Sequence, residues 1–375
     1  MDHSLSRLLI PLVVGLLALP AYATKYSFSK IQYPTSSAIL NAVGPSGHVA
    51  VNFTGQKSGA FLWLADGTSQ PLDILEGFNS RQVLDANASG VSVGAHHGRR
   101  NGERYHRATI WHGSTPSLLP MLGGTLGDLR ESAIAINNRG VAVGYSITGG
   151  QGAHAVLWDS EGAHDLGTGG GVAATAWGIN SSARAVGTAR LENGDMRGVV
   201  WTNGVAQQVG TAGGSSSFLS DINDQGWAVG DSLLAGDDIL SAVLWDGQTL
   251  RSLGSPTGGW SFATDIGNDG TVYGQTVLGE VSHAAVWIDG KGFDLHDLVI
   301  NRADLGQLIM TSAIGADEDG RIYGYLNNPS PDGSTHQSFV LTPIVEAAVP
   351  EPAPFLIILT GLGLFALRRF QLAPK

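Results

Sequence analysis

Small and β-branched residues alternate in short runs along most of the chain, as in Ala133-Ile-Ala-Ile136 and Val141-Ala-Val143. A period of two sends successive side chains to opposite faces of a strand, so these runs predict short β-strands rather than helices. Polar turns separate them. In Ile136-Asn-Asn-Arg-Gly140 the asparagine side chain suits an Asx turn, and glycine at the fourth position accepts the positive φ of a type I hairpin.

The same frame returns along the chain. Ile136-Asn-Asn-Arg-Gly140-Val-Ala-Val-Gly144 is matched by Ile179-Asn-Ser-Ser-Ala183-Arg-Ala-Val-Gly187 and Ile222-Asn-Asp-Gln-Gly226-Trp-Ala-Val-Gly230. It decays at residues 86–94, 266–274 and 316–324, and is worn at 43–51. Each copy precedes an Ala-x-Leu-Trp-like segment ending at Trp63, Trp111, Trp158, Trp201, Trp245 or Trp287; the seventh, Ser338-Phe-Val-Leu-Thr342, lacks the tryptophan. A fourth run such as Ala163-His-Asp-Leu166 follows, so each unit holds four short strands. The spacing of 43 to 50 residues signals an array of supersecondary units. Four strands per unit predict an all-β fold, a seven-bladed β-propeller, with an open β array as the alternative. The last copy lacks its fourth strand, whereas Phe28-Ser-Lys-Ile-Gln-Tyr33 precedes the first copy at the matching offset. The N-terminal strand is therefore expected to close the ring by pairing around residues 339–341, which removes exposed sheet edges.

The two ends carry different signals. A basic start with Arg7, an apolar stretch over 8–20 and a small-x-small site at Ala21 and Ala23 make a secretory signal peptide, cleaved after Ala23. At the other end stand Val349, Pro350, Glu351 and Pro352, then an apolar run over 355–367, then Arg368 and Arg369. This series resembles the PEP-CTERM sorting signal, which implies recognition by an exosortase, a membrane protease of exopolysaccharide-producing Gram-negative bacteria. As a helix the run rises only about 20 Å against a hydrocarbon core of about 30 Å, which suits a transient transmembrane helix better than a permanent one. The arginines match the positive-inside rule. The expected organisation is a signal peptide over 1–23, a repeat domain over 24–345 and a sorting segment over 346–375, with the protein at the cell surface, outer envelope or outside the cell.

The repeats resemble the HAF-type extracellular repeat, best over residues 132–168, where His154-Ala-Val-Leu-Trp158 and Asp165-Leu-Gly-Thr168 match residue for residue. Departures grow outward, with Ile266-Gly267 in place of Ile-Asn. The resemblance implies a fold and a location, and no activity.

Composition narrows the chemistry. With 53 glycines and 14% charged residues the body suits strands and tight turns. No cysteine is present, which removes thiol nucleophiles and cysteine metal sites. A formal charge of -11 disfavours nucleic acid as a partner. There is no His-Glu-x-x-His pair or phosphate loop, so no catalytic residue is assigned and the chain is expected not to be an enzyme. The repeated tryptophans read as packing between blades, and His154 and His283, four residues before a tryptophan, as tolerant strand-edge positions rather than metal ligands. Asp-containing turns at residues 221–224, 268–270 and 317–320 offer oxygen ligands for calcium, without the twelve-residue loop that would specify it. One stretch departs from the acidic background, His96-His-Gly-Arg-Arg-Asn-Gly-Glu-Arg-Tyr-His-Arg107. Read as an exposed hairpin loop, it offers Arg99, Arg100, Arg104 and Arg107 to an anionic ligand, with Tyr105 placed to stack on a sugar. The expected role is a surface scaffold associated with exopolysaccharide; the alternatives are a dedicated glycan-binding module, which needs an aromatic and polar pocket, and a polysaccharide hydrolase or lyase, which needs converging acid and base groups.

Overall fold

The alternating runs become strands whose order in each sheet follows the order in the chain. The computed structural model describes residues 24–34, 38–53, 59–100, 102–123, 130–147, 152–327 and 337–344. The signal cleavage residues Ala21 and Ala23, and the sorting residues Val349, Pro350, Glu351, Pro352, Arg368 and Arg369, lie outside the described residues. The chain divides into two compact units after Pro343, and every described strand belongs to the first. Among the described residues the regular structure is β-strand apart from two short 3-10 helices, Leu295–Leu298 and Arg302–Leu305. Among the described residues no helix is long and apolar enough to cross a membrane.

The third copy shows the plan. Arg130–Ile136, Ala142–Ile147, His154–Asp159 and Gly162–Gly167 pair antiparallel, each with the next. Other copies repeat it, giving five four-stranded sheets and one eight-stranded sheet that holds the second and third copies. Those two copies meet through one parallel pair, Arg130 opposite His106. The last sheet takes its fourth strand from the N-terminus. Tyr26–Ile31 lies antiparallel to Gln337–Pro343, with Phe28 opposite Leu341 and Lys30 opposite Phe339. This is the closing pair expected from the sequence, shifted so that Tyr33 falls beyond the strand.

First strands contact one another in cyclic order, and the cycle closes where Ala38–Val43 packs on both Ser80–Ala86 and Ile309–Ala316. The fold is a β-propeller.

Three sequence features explain how the sheets stack. Every first strand described carries a β-bulge near its end, as between Ala133 and Ala135. The bulge brings its backbone onto the second strand, so that a Cβ on Gly94, Gly144, Gly187, Gly230, Gly274 or Gly324 would collide with a first-strand carbonyl. This close approach is why the frame ends in Val-Gly. The tryptophans fill the space between sheets. Trp111, Trp158, Trp201 and Trp287 are buried, and their indole N–H groups donate to Asp73, Pro120, Leu166 and Gly254 carbonyls of the preceding copy at 2.9 to 3.2 Å. Burying a side chain of this size contributes roughly 3 kcal/mol or more.

The third feature is the turn asparagine. Asn137 Oδ1 accepts from the Arg139 and Val141 N–H groups, which is the expected Asx turn. Its amide does something the turn motif does not require. Asn87, Asn137, Asn180 and Asn223 each donate from Nδ2 to the backbone carbonyl at the same place in the next copy, Asn137, Asn180, Asn223 and Gly267, at 2.9 to 3.2 Å. The repeat unit therefore encodes both its own hairpin and its bond to the neighbour.

Candidate anion-binding groove

The basic stretch is not a loop. It forms the long hairpin of Val91–Arg100 and Glu103–His112, whose ladder runs without a break from Val91 opposite His112 to Arg100 opposite Glu103. Strand alternation then sorts its charged residues by face and depth.

Arg107, expected from the sequence among the exposed arginines, is instead buried. Its Nε lies 3.3 Å from Glu131 Oε2, and its guanidinium donates to the Leu119 carbonyl. Ser146 Oγ also donates to Glu131 at 3.1 Å. Arg107 belongs to the second copy and Glu131 to the third, so this pair holds two copies together. Removing one partner of such a buried pair costs several kcal/mol, about 3 to 5. His96 is also buried, with its ring stacked on Trp111 at 5.2 Å. Its Nε2 accepts from the Leu75 N–H, and burial pushes its pKa down to about 4, so it stays neutral. Tyr105 does not stand free for stacking. Its ring lies over Gly98 and 5.5 Å from Phe78.

Arg99 and Arg104 remain. They are Cα partners on adjacent strands, both exposed, and among the described residues neither joins a salt bridge. Like charges placed directly opposite each other destabilise a sheet. With Asn79, Ser80, His97 and His106 they line a groove of about 400 Å³. His97 and His106 meet edge to face at 4.4 Å. Burial, then His106, pushes His97 down to about 4, while burial, then Arg130 and Arg104, lowers His106. Both imidazoles are therefore neutral near pH 7, and the positive charge belongs to the arginines. The Arg100 side chain lies outside the described residues.

Carboxylates gather elsewhere, at one place in the frame. Asp85, Asp221 and Asp265 follow the bulge of their first strands. Their Oδ2 atoms accept from the N–H groups of Ile136, Ile266 and Ala316 in the next copy at 2.9, 3.1 and 3.3 Å. Asp85 also feels the charge of Asp221, which belongs to a non-neighbouring sheet, so both face the interior of the ring. Part of each side chain stays accessible there, but the surrounding protein excludes bulk water and desolvation governs. Burial pushes Asp85 up to about 7 and, with Asp221 beside it, raises Asp265 well above the carboxylate range. Asp231 is likewise pushed up to about 7 by burial while accepting from the Ala263 N–H. These groups serve as inter-sheet acceptors.

The turn aspartates weighed as calcium ligands are similarly engaged. Asp317 accepts from the Asp319 and Arg321 N–H groups, Arg321 Nε and the Tyr323 hydroxyl. Asp224 bonds Asn268 in both directions. A second groove, of about 450 Å³, is lined by Gln275, Glu280, Thr311 and Tyr325 among others, and Glu280 is its one carboxylate.

No family profile and no curated protein matches the sequence. Solved structures do match in shape. A puromycin hydrolase is 12% identical with a TM-score of 0.52, over 81% of this chain and 53% of that one. The β-propeller domain of the Trilobed protease from Pyrococcus furiosus is 12% identical with a TM-score of 0.44, over 69% and 84%. The polysaccharide lyase Uly1 is 10% identical with a TM-score of 0.48, over 88% and 94%. At such identity the likeness concerns the fold alone. The class defined by the fold is a β-propeller.

Proposed function

We propose that this chain is an exported, non-catalytic propeller that binds an anionic exopolysaccharide at the cell surface through the Arg99–Arg104 groove. Export rests on the Ala21-Tyr-Ala23 site, and sorting by an exosortase-type protease on the Pro350-Glu-Pro352 series with its apolar run and Arg368-Arg369. We take the ring to have seven blades. The support is that the eight-stranded sheet joins its halves by one parallel pair, and each half repeats the four-strand frame.

The observation that carries the binding reading is two exposed arginines, opposite each other and without a carboxylate partner among the described residues, in a chain of charge -11. Two guanidinium forks side by side match the spaced carboxylates or sulfates of an acidic polymer. The hydrolase or lyase reading is less well supported, because the ring carboxylates are engaged as backbone acceptors. The test compares the parent with an Arg99→Ser, Arg104→Ser variant on an immobilised acidic polysaccharide. Exposed substitutions cost under about 0.5 kcal/mol, so folding is preserved. The parent should be retained at low salt and released as ionic strength approaches about 0.15 M, where the Debye length is about 8 Å. Equal retention of parent and variant would exclude this groove as the binding surface.

A further inference from the structure

His154 and His283 occupy the same position, four residues before Trp158 and Trp287. Each faces an aspartate on the following strand, Asp165 and Asp294. In the third copy the pair is complete in itself. His154 Nδ1 lies 3.0 Å from both Asp165 oxygens, and the chain then continues toward the next copy. The sixth copy differs, because directly after Asp294 the chain forms the 3-10 helix Leu295–Leu298. Asp294 Oδ1 accepts from the His296 N–H at 2.9 Å and so fixes that residue, leaving Oδ2 facing His283.

The result is a cluster of two imidazoles and a carboxylate, with one ligand atom from each within 4.8 Å of the others. His283 Nδ1 is 2.8 Å from Asp294 Oδ2 but lacks the alignment of a hydrogen bond. His296 Nδ1 is buried and has no hydrogen-bond partner among the described residues. The two rings stand 6.3 Å apart at 64°. Buried polar atoms are nearly always satisfied, so an orphan imidazole nitrogen next to a misaligned His–Asp contact calls for a missing partner.

We propose that His283, Asp294 and His296 bind a divalent transition-metal ion of the zinc class. Two nitrogens and one carboxylate oxygen are a common zinc ligand set and leave a fourth position for water. Imidazole ligation favours zinc and its transition-metal neighbours over calcium or magnesium, which prefer oxygen. The ion would act as a clamp. The segment it anchors continues into Val299, Ile300 and Asn301, which hold the closing N-terminal strand: Ile300 N–H donates to the Tyr26 carbonyl at 3.0 Å, and Asn301 exchanges two bonds with the Phe28 backbone at 2.8 and 3.0 Å. Metal binding thus reinforces ring closure.

The test uses the full chain, metal-free, titrated with zinc chloride by calorimetry and followed by thermal unfolding. Variants are His296→Ala, the milder His296→Gln, and His154→Ala as the internal control. The parent and His154→Ala should each bind one ion more than either His296 variant, and only those two should show a higher thermal midpoint with zinc, since a ligand bound by the native state stabilises it. Circular dichroism without metal checks that the variants fold. Equal stoichiometry in parent and both His296 variants, or a zinc-induced midpoint shift that survives them, would overturn the site.

Discussion

Replacing Asp85 with asparagine should stabilise the protein above neutral pH and have little effect near pH 4. Burial pushes the Asp85 carboxyl from its ordinary 3.8 up to about 7. A carboxyl raised in this way keeps a proton in the folded state that the unfolded chain has given up, so its contribution favours folding at low pH and is lost as pH rises from about 4 through 7. The gap between 3.8 and about 7 amounts to about 4 kcal/mol at pH 8 and about 0.5 kcal/mol at pH 4. Asparagine keeps an oxygen for the Ile136 N–H but loses the second acceptor that serves the Ala86 N–H, at a cost of about 1 kcal/mol independent of pH. The variant should therefore be slightly less stable than the parent at pH 4 and more stable by about 3 kcal/mol at pH 8. Urea midpoints measured at pH 4, 5, 6, 7 and 8 read the difference, provided the slope with urea is unchanged. A constant penalty at every pH would show that Asp85 is ionised in the native ring and refute the reasoning.

Other substitutions probe different layers. Asn180→Ala removes the donor to Asn223 and the acceptor for the Ser182 and Arg184 N–H groups, and should cost about 3 kcal/mol by urea unfolding, whereas Asn193→Ala, in an exposed turn with only local bonds, should cost under about 0.5 kcal/mol. Deleting residues 24–34 removes the strand that pairs Gln337–Pro343 and bares that edge, so the thermal midpoint should fall and light scattering should report association; an unchanged midpoint counts against closure. Intact mass of protein from its host should lack residues 1–23 and the chain beyond the Pro-rich motif, and full-length chain in the cytosol would contradict export.

Much of the architecture was legible because a two-residue period and a long repeat are local properties of the chain. Ala155-Val-Leu-Trp158 predicted a third strand found at His154–Asp159, and Ala163-His-Asp-Leu166 a fourth found at Gly162–Gly167. Partnerships across the repeat were not legible. The Asn137 amide bonds a carbonyl in the next copy, and nothing in a turn motif separates that bond from the Asx turn itself. Gly144 reads as an ordinary strand glycine until the bulge at 133–135 brings the Ser132 carbonyl against it. Arg107 reads as part of a basic loop, because its buried partner Glu131 lies in the next copy and nothing local to the stretch announces it. His296 lies in an insertion outside the frame, so aligning the repeats could pair His283 with His154 but could not bring in the third ligand.

The central claim, a scaffold that binds an acidic polymer without cutting it, is tested by incubating the protein with an anionic polysaccharide of defined length. Size-exclusion chromatography with light scattering then reads complex formation and polymer mass together. Co-elution at low salt, dissociation at high salt and an unchanged polymer mass are the expected results. A shortened polymer would make the chain an enzyme, and separate elution at every ionic strength would leave the Arg99–Arg104 groove without its ligand; either result contradicts the account.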